Sequence, residues 1–211
     1  MFAHSGAAAQ ACHGVCAAPG VFMQAFLIST GVVALAEIGD KTQLLALLLA
    51  SRFKKPAPII LGIFVATLVN HFAAAAVGQW LMAKVGPDIM RWGLGLSFVA
   101  MAAWMLIPDK LDDGEALRER FGIFGTTVIA FFIAEMGDKT QIATVALSAR
   151  FPEQLYMVVA GTTLGMMIAN VPAVLLGEVA AKKLPQKLMH GIAAALFVGL
   201  GIATLMTPLS L

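Results

Sequence analysis

Apolar residues dominate this chain in long uninterrupted runs. A helix that crosses a bilayer needs about 20 mostly apolar residues. Six stretches meet that length or approach it: residues 21–50, 58–82, 90–106, 121–148, 155–179 and 188–205. Prolines stand at or near several of their starts, at Pro56, Pro58, Pro87, Pro152 and Pro185. Proline is tolerated in the first turn of a helix, where its missing N–H costs nothing. Polar residues collect between the runs, as in "SRFKKP" (51–56), "PDKLDDGEALRER" (108–120) and "AKKLPQK" (181–187). The pattern predicts an all-α integral membrane protein with six transmembrane helices. Small residues recur inside the runs, among them Gly161 with Gly165 and Gly199 with Gly201. Such positions let membrane helices approach closely.

Composition agrees. Of 211 residues, 60% are hydrophobic and 12% charged, and mean hydropathy is +0.88. A soluble domain averages roughly 45–50% apolar and about 25% charged. A net charge of +2 without a basic block gives no sign of nucleic-acid binding. Both cysteines, Cys12 and Cys16, lie in the tail of residues 1–20. That tail has no Lys or Arg, so it lacks the basic start of a secretory signal. His4, Cys12, His13 and Cys16 are able to bind a soft metal or close a small disulfide loop. The plainer reading is a disordered tail of small residues, because C-x3-C is a weak zinc spacing.

Two runs carry the same polar interruption. "AEIGDKTQLLALLLASRF" (36–53) matches "AEMGDKTQIATVALSARF" (134–151) at an offset of 98 residues, from 36 to 134. Gly62 then pairs with Gly161, Gly78 with Gly177, and Phe98-Val99 with Phe197-Val198, at an offset of 99. The chain therefore divides into a tail (1–20), a three-helix repeat (21–107), a polar joint (108–120) and a second three-helix repeat (121–211). An odd number of helices per repeat makes the second copy enter the membrane from the opposite face. That is the inverted-topology repeat of secondary transporters. Loop charge sets the orientation. Arg52, Lys54, Lys55, Lys110, Arg118, Arg120, Lys182, Lys183 and Lys187 fall on one side; Lys84, Arg91 and Arg150 fall on the other. The richer side reads as cytoplasmic and both termini as extracytoplasmic, in the inner membrane.

The polar interruptions sit near the middle of their runs. A charge at the bilayer centre costs at least about 2.5–3.5 kcal/mol. Each motif brings two acids and one lysine: Glu37, Asp40 and Lys41, then Glu135, Asp138 and Lys139. On a continuous helix, Glu37 and Asp40 share a face, and Glu37 and Lys41 stand in the favourable i, i+4 order. Gly39 and Gly137 weaken each helix and allow another backbone to approach, so a tilted, kinked or broken helix fits there. Broken helices expose carbonyls at the midplane.

Each motif is net −1, so two facing motifs give −2, which balances a divalent cation. Carboxylates, Gln43, Gln141, Thr42 and Thr140 offer oxygen, the donor for hard ions such as Ca²⁺ or Mn²⁺. Only one His, His71, stands near the middle of a predicted span, with His190 close to the start of another, and no Cys falls in any span, which argues against a soft-metal or tetrahedral zinc site. When the cation leaves, carboxylates without a counter-charge take up protons, because burial disfavours the charged form. Lys41 and Lys139 either swap partners between states or neutralise one acid permanently. Asn70, His71 and Asn170 either line the same cavity or hydrogen-bond between helices; Pro172, beside Asn170, would kink the fifth helix. Met136, Met166 and Met167 read as packing. The bland alternative is interhelical ion pairing left over from a duplication, but that needs no second acid per lysine.

At these residues the sequence resembles a known family. The doubled E-x-G-D-[KR]-[ST] motif, here "EIGDKT" (37–42) and "EMGDKT" (135–140), is similar to that of the "GDT" family of Ca²⁺/Mn²⁺–proton exchangers, also called calcium/cation antiporter-2. The resemblance covers nearly the whole chain after residue 20. It implies two motifs that face each other and bind the transported cation, which falls on Glu37, Asp40, Glu135 and Asp138. It implies that bacterial members export Mn²⁺ and that eukaryotic members move Ca²⁺ and Mn²⁺ against protons. The short joint, without a long acidic loop, looks like the bacterial form. The expected partners are a divalent cation and the lipid bilayer, with H⁺ as counter-ion, no permanently bound cofactor and no nucleic acid; a homo-oligomer is compatible. Two other classes compete. A passive cation channel needs no proton gradient. An intramembrane aspartyl protease has a G-x-G-D motif, but here Glu37 and Glu135 stand where its first glycine would be.

Overall fold

Both E-x-G-D motifs interrupt their helices. The computed structural model describes residues 19–85, 87–106, 121–176 and 186–207. The Cys/His tail, the joint at 108–120, Gly177 and the basic residues Lys110, Arg118, Arg120, Lys182 and Lys183 lie outside the described residues. The described chain is all helix. In the first half come α1 (Pro19–Glu37), α2 (Lys41–Phe53), α3 (Pro56–Val85) and α4 (Pro87–Met105). In the second come α5 (Gly122–Glu135), α6 (Lys139–Arg150), a short 3-10 turn (Pro152–Gln154), α7 (Leu155–Leu176) and α8 (Gln186–Met206).

Among the described residues, three helical stretches are long and apolar enough to cross a membrane: Pro56–Val85, Pro152–Leu176 and Lys187–Met206. A fourth follows if the bent pair Val21–Glu37 and Lys41–Phe53, which turns through 68°, counts as one span. The expectation of six is thus met only in part, for two physical reasons. Asp88 and Arg91 dilute the apolar character of the first turns of α4. The break between α5 and α6 leaves two helices of 14 and 12 residues, each too short to cross alone. The surface is nevertheless that of a multi-pass membrane protein. Leu61, Phe72, Ile133, Ile168 and Ile202 all point outward, on helices from both halves. A water-soluble protein does not carry such a belt.

The packing interleaves the halves. α1 lies against α7 while α5 lies against α3; α2 lies against α7 while α6 lies against α3; α1 meets α6 while α5 meets α2. Exchanging the halves maps each of these contacts onto its partner, whereas the contacts of α4 with α6 and of α1 with α8 have no counterpart of similar extent. Two pairings map onto themselves, α3 with α7 and α4 with α8. In the second, Phe98 meets its own repeat equivalent, Phe197, at 6.2 Å between ring centroids. Glycines set the approach distances. A Cβ on Gly161 would lie 2.5 Å from the Phe26 carbonyl and 3.0 Å from the Ser29 Cβ, so α7 sits where only glycine fits. A Cβ on Gly62 would meet Thr127 at 2.7 Å and the Phe124 carbonyl at 3.1 Å, which is the same contact in the other copy. Gly165 and Gly201 also face a neighbouring backbone, whereas Gly199 faces open space, so there the expected close approach is absent. An apolar groove of about 450 Å³ between α1 and α8, lined in part by Leu27, Val32 and Leu196, holds no motif residue.

Candidate cation site

The E-x-G-D sequence is a turn. In the second copy Met136 has φ −67 and ψ 116 and Gly137 has φ 78. These are the central angles of a type II turn, which needs a positive φ at its third residue and so selects glycine. The turn closes with the Asp138 N–H donating to the Glu135 carbonyl at 3.1 Å. The first copy repeats it: Gly39 has φ 85, and the Asp40 N–H donates to the Glu37 carbonyl at 3.1 Å. Nothing lies within 4 Å of where a Gly137 Cβ would be. There the glycine serves its backbone angle, and the expectation that it admits a neighbouring backbone is corrected.

Each glutamate ends one helix and each aspartate starts the next. Asp40 and Asp138 are the N-caps of α2 and α6, with extended backbones, yet neither side chain makes a capping hydrogen bond. An N-cap aspartate ordinarily accepts from the N–H groups of the first turn. The glutamines fold back onto the turn. Gln43 Oε1 accepts from the Gly39 N–H at 2.9 Å, and Gln141 Oε1 accepts from the Gly137 N–H at 2.7 Å. Gln43 also donates from Nε2 to the Ala169 carbonyl on α7 at 3.0 Å. Both side-chain oxygens, expected among the cation's ligands, are thus engaged in holding the turns.

The acids of the two copies meet. One carboxylate oxygen each from Glu37, Asp40 and Asp138 lie within 4.8 Å of one another, and all three residues are buried. An ion with bonds of about 2.4 Å holds opposite oxygens about 4.8 Å apart, so these three can share one ion. Glu135 is also buried, and the charges of Glu135 and Asp138 both act on Glu37. Glu135 Oε2 lies 3.5 Å from His71 Nε2 on α3. Thr42 donates its hydroxyl to Glu37 Oε2. Thr140 donates to Asp138 Oδ2 at 3.4 Å.

The lysines cross between the copies. Lys41 Nζ is 3.4 Å from Asp138 Oδ1, and Lys139 Nζ is 3.6 Å from Asp40 Oδ1. The helical register that would stack Glu37 over Lys41 is interrupted by the turn, so the i, i+4 reading is replaced by a reciprocal exchange of partners. The two lysines differ in surroundings: Lys41 is 28% exposed and Lys139 only 1%.

Of the three residues expected near the cavity, Asn70 donates to the Phe132 carbonyl on α5 at 3.1 Å. Asn170 donates to the Met166 carbonyl one turn back on its own helix at 3.1 Å. Of Met136, Met166 and Met167, Met166 is fully buried in packing and Met136 is exposed. Sequence reasoning missed the turn, the glutamine locks and the crossed lysines. The first had a readable signal: glycine at the third of four residues, closed by an aspartate.

Comparison with known proteins decides the class. The family described as "Divalent cation/proton antiporter GDT1" matches twice, over residues 25–113 and 123–210. The chain belongs to the GDT1 family. It is a divalent cation/proton antiporter of the membrane, not an enzyme, and each family match contains one E-x-G-D turn. A Vibrio cholerae protein named "Putative manganese exporter" is 54% identical over 182 residues, 86% of this chain and 90% of its own. GDT1-like protein 3 of Oryza sativa subsp. indica is 28% identical, covering 93% of this chain and 79% of its own. A GDT1-like protein of Synechocystis is 27% identical, covering 83% and 93%. No solved structure matches the chain.

Proposed function

We propose that this GDT1 antiporter exports Mn²⁺ from the cytoplasm in exchange for protons, through one midplane site built by both repeats. The carrying observation is the buried convergence of Glu37, Asp40 and Asp138, two from one motif and one from the other. Glu135 completes the acidic set. The name of the Vibrio cholerae relative supports manganese as the cargo. Six spans in two inverted three-helix repeats, with extracytoplasmic termini in the inner membrane, fit the interleaved packing and the loop charges.

The charge balance gives the exchange its logic. Four acids and two lysines leave −2. A divalent ion cancels that charge, and so do two protons. Each aspartate leans on the lysine of the other copy, so an arriving ion competes with two lysine side chains held at 3.4 and 3.6 Å. Thr42 and Thr140 steady the carboxylates, and Gln43 and Gln141 hold the turns that aim them. Ca²⁺ is the second reading, because the carboxylate oxygens suit it equally.

Vesicles reconstituted with the protein and given a pH gradient test this. The expected result is uptake of Mn²⁺ against its own gradient, coupled to proton flow in the opposite direction, with Ca²⁺ as competitor. Cation flux that ignores the pH gradient would make the protein a channel and end the exchange reading.

A further inference from the structure

The two E-x-G-D-K-T motifs match at every position but the second, whereas the helices packed against them differ. At the offset of 99, His71 of α3 corresponds to Asn170 of α7. Asn170 is engaged by its own helix through Nδ2, 3.1 Å from the Met166 carbonyl and 2.8 Å from the Met166 sulfur, while its Oδ1 has no hydrogen-bond partner among the described residues. His71 is not: it is fully buried, and neither Nδ1 nor Nε2 has a hydrogen-bond partner among the described residues. Both oxygens of Glu135 likewise lack a well-aligned hydrogen bond among the described residues, with only the Thr140 hydroxyl bearing on the carboxyl. The other described histidine, His190, has its Nε2 2.8 Å from the Ile38 carbonyl.

Buried polar atoms without partners are costly and uncommon. Here two of them face each other: His71 Nε2 is 3.5 Å from Glu135 Oε2, and the charge of Asp138 reaches both residues. Two neighbouring ligands on an octahedral ion with bonds of about 2.1 Å stand about 3 Å apart. The His71–Glu135 separation is close to that spacing, and His71 lies at the midpoint of the 30-residue α3.

We propose that His71 is a nitrogen ligand of the transported ion, paired with Glu135, and that it sets the site's preference for transition-metal divalents over Ca²⁺ and Mg²⁺. Hard alkaline-earth ions take oxygen ligands, whereas imidazole suits first-row transition metals. Carboxylates alone would leave Mn²⁺ and Ca²⁺ poorly separated. One imidazole, present in only one repeat, separates them without altering the charge balance. The inference rests on the antiport reading and adds the basis of its selectivity.

The test has two arms. In the first, Mn²⁺ is bound to protein labelled with [15N]histidine, in a His4→Asn/His13→Asn background, and nitrogen hyperfine coupling is read by pulsed EPR. Coupling that disappears in His71→Asn supports the proposal; its absence from the labelled parent overturns it, even if His71→Asn cannot be purified. In the second, vesicles compare Mn²⁺ and Ca²⁺ exchange in wild type and His71→Asn, the residue its repeat partner already carries. Loss of even an outer-shell partner costs about 10–100-fold in metal affinity, so the Mn²⁺ to Ca²⁺ preference should fall at least about tenfold. A proportional fall for both ions, or no change, makes His71 a structural residue and overturns the proposal. Wild-type protein that exchanges neither ion would instead defeat the antiport reading, and the EPR arm does not depend on that result.

Discussion

Lys139 has 1% of its side chain exposed and is held 3.6 Å from Asp40 of the other copy. Removing one partner of a buried pair costs about 3–5 kcal/mol, because the other charge is left uncompensated. Lys139→Gln should therefore lower the thermal stability of the ion-free protein clearly, and Mn²⁺ should restore much of it by supplying the missing charge. Asp40→Asn/Lys139→Gln should recover stability without metal and no longer respond to it. Lys41→Gln should cost less, because Lys41 is 28% exposed and water already shares its work. Equal losses for the two lysines in a thermal-shift measurement would contradict this. The acids were legible in the sequence because charge inside an apolar run has few explanations. The partners of the lysines were not. Spacing along one helix favours the neighbour at i+4, whereas the observed partners lie 97 and 99 positions away, from 41 to 138 and from 40 to 139.

At the scale of elements, the turns and the helix approaches use glycine differently. Gly137→Ala meets no atom within 4 Å, and its cost is that of φ 78, about 1–2 kcal/mol. Gly161→Ala would drive a Cβ to 2.5 Å from a fixed backbone oxygen on α1, so the helix pair must part. Gly161→Ala should destabilise the protein more than Gly137→Ala, while Gly137→Ala should impair transport more for each degree of melting temperature lost. Gln43→Leu keeps the size but removes the acceptor for the Gly39 N–H, and should slow transport about tenfold through a loosened turn. The same variant at wild-type rate would mean the glutamine lock is dispensable. Helix positions were readable from apolar run length, and the break at Gly39 was foreseen among the options. Its form was not, because an E-x-G-D turn inside an apolar run looks locally like weak helix until the two glycine angles are known.

At the scale of the molecule, the repeat was visible as matched letters, and the structure expresses it as contacts that survive exchange of the halves. Six spans were less secure, because apolar length alone does not tell a crossing helix from two short ones joined at a bend. Inverted topology makes a prediction of its own. In protein lacking Cys12 and Cys16, Lys54→Cys after α2 and Glu153→Cys after α6 should react with a membrane-impermeant thiol reagent from opposite faces. Labelling of both from the same face would make the repeats parallel. The central claim is that both turns build a single cation site. Equilibrium binding of Mn²⁺ to the purified protein tests it most directly: one ion per chain is expected, lost in Asp40→Asn and in Asp138→Asn alike. Two ions per chain, or one ion that survives either substitution at full affinity, would contradict the account.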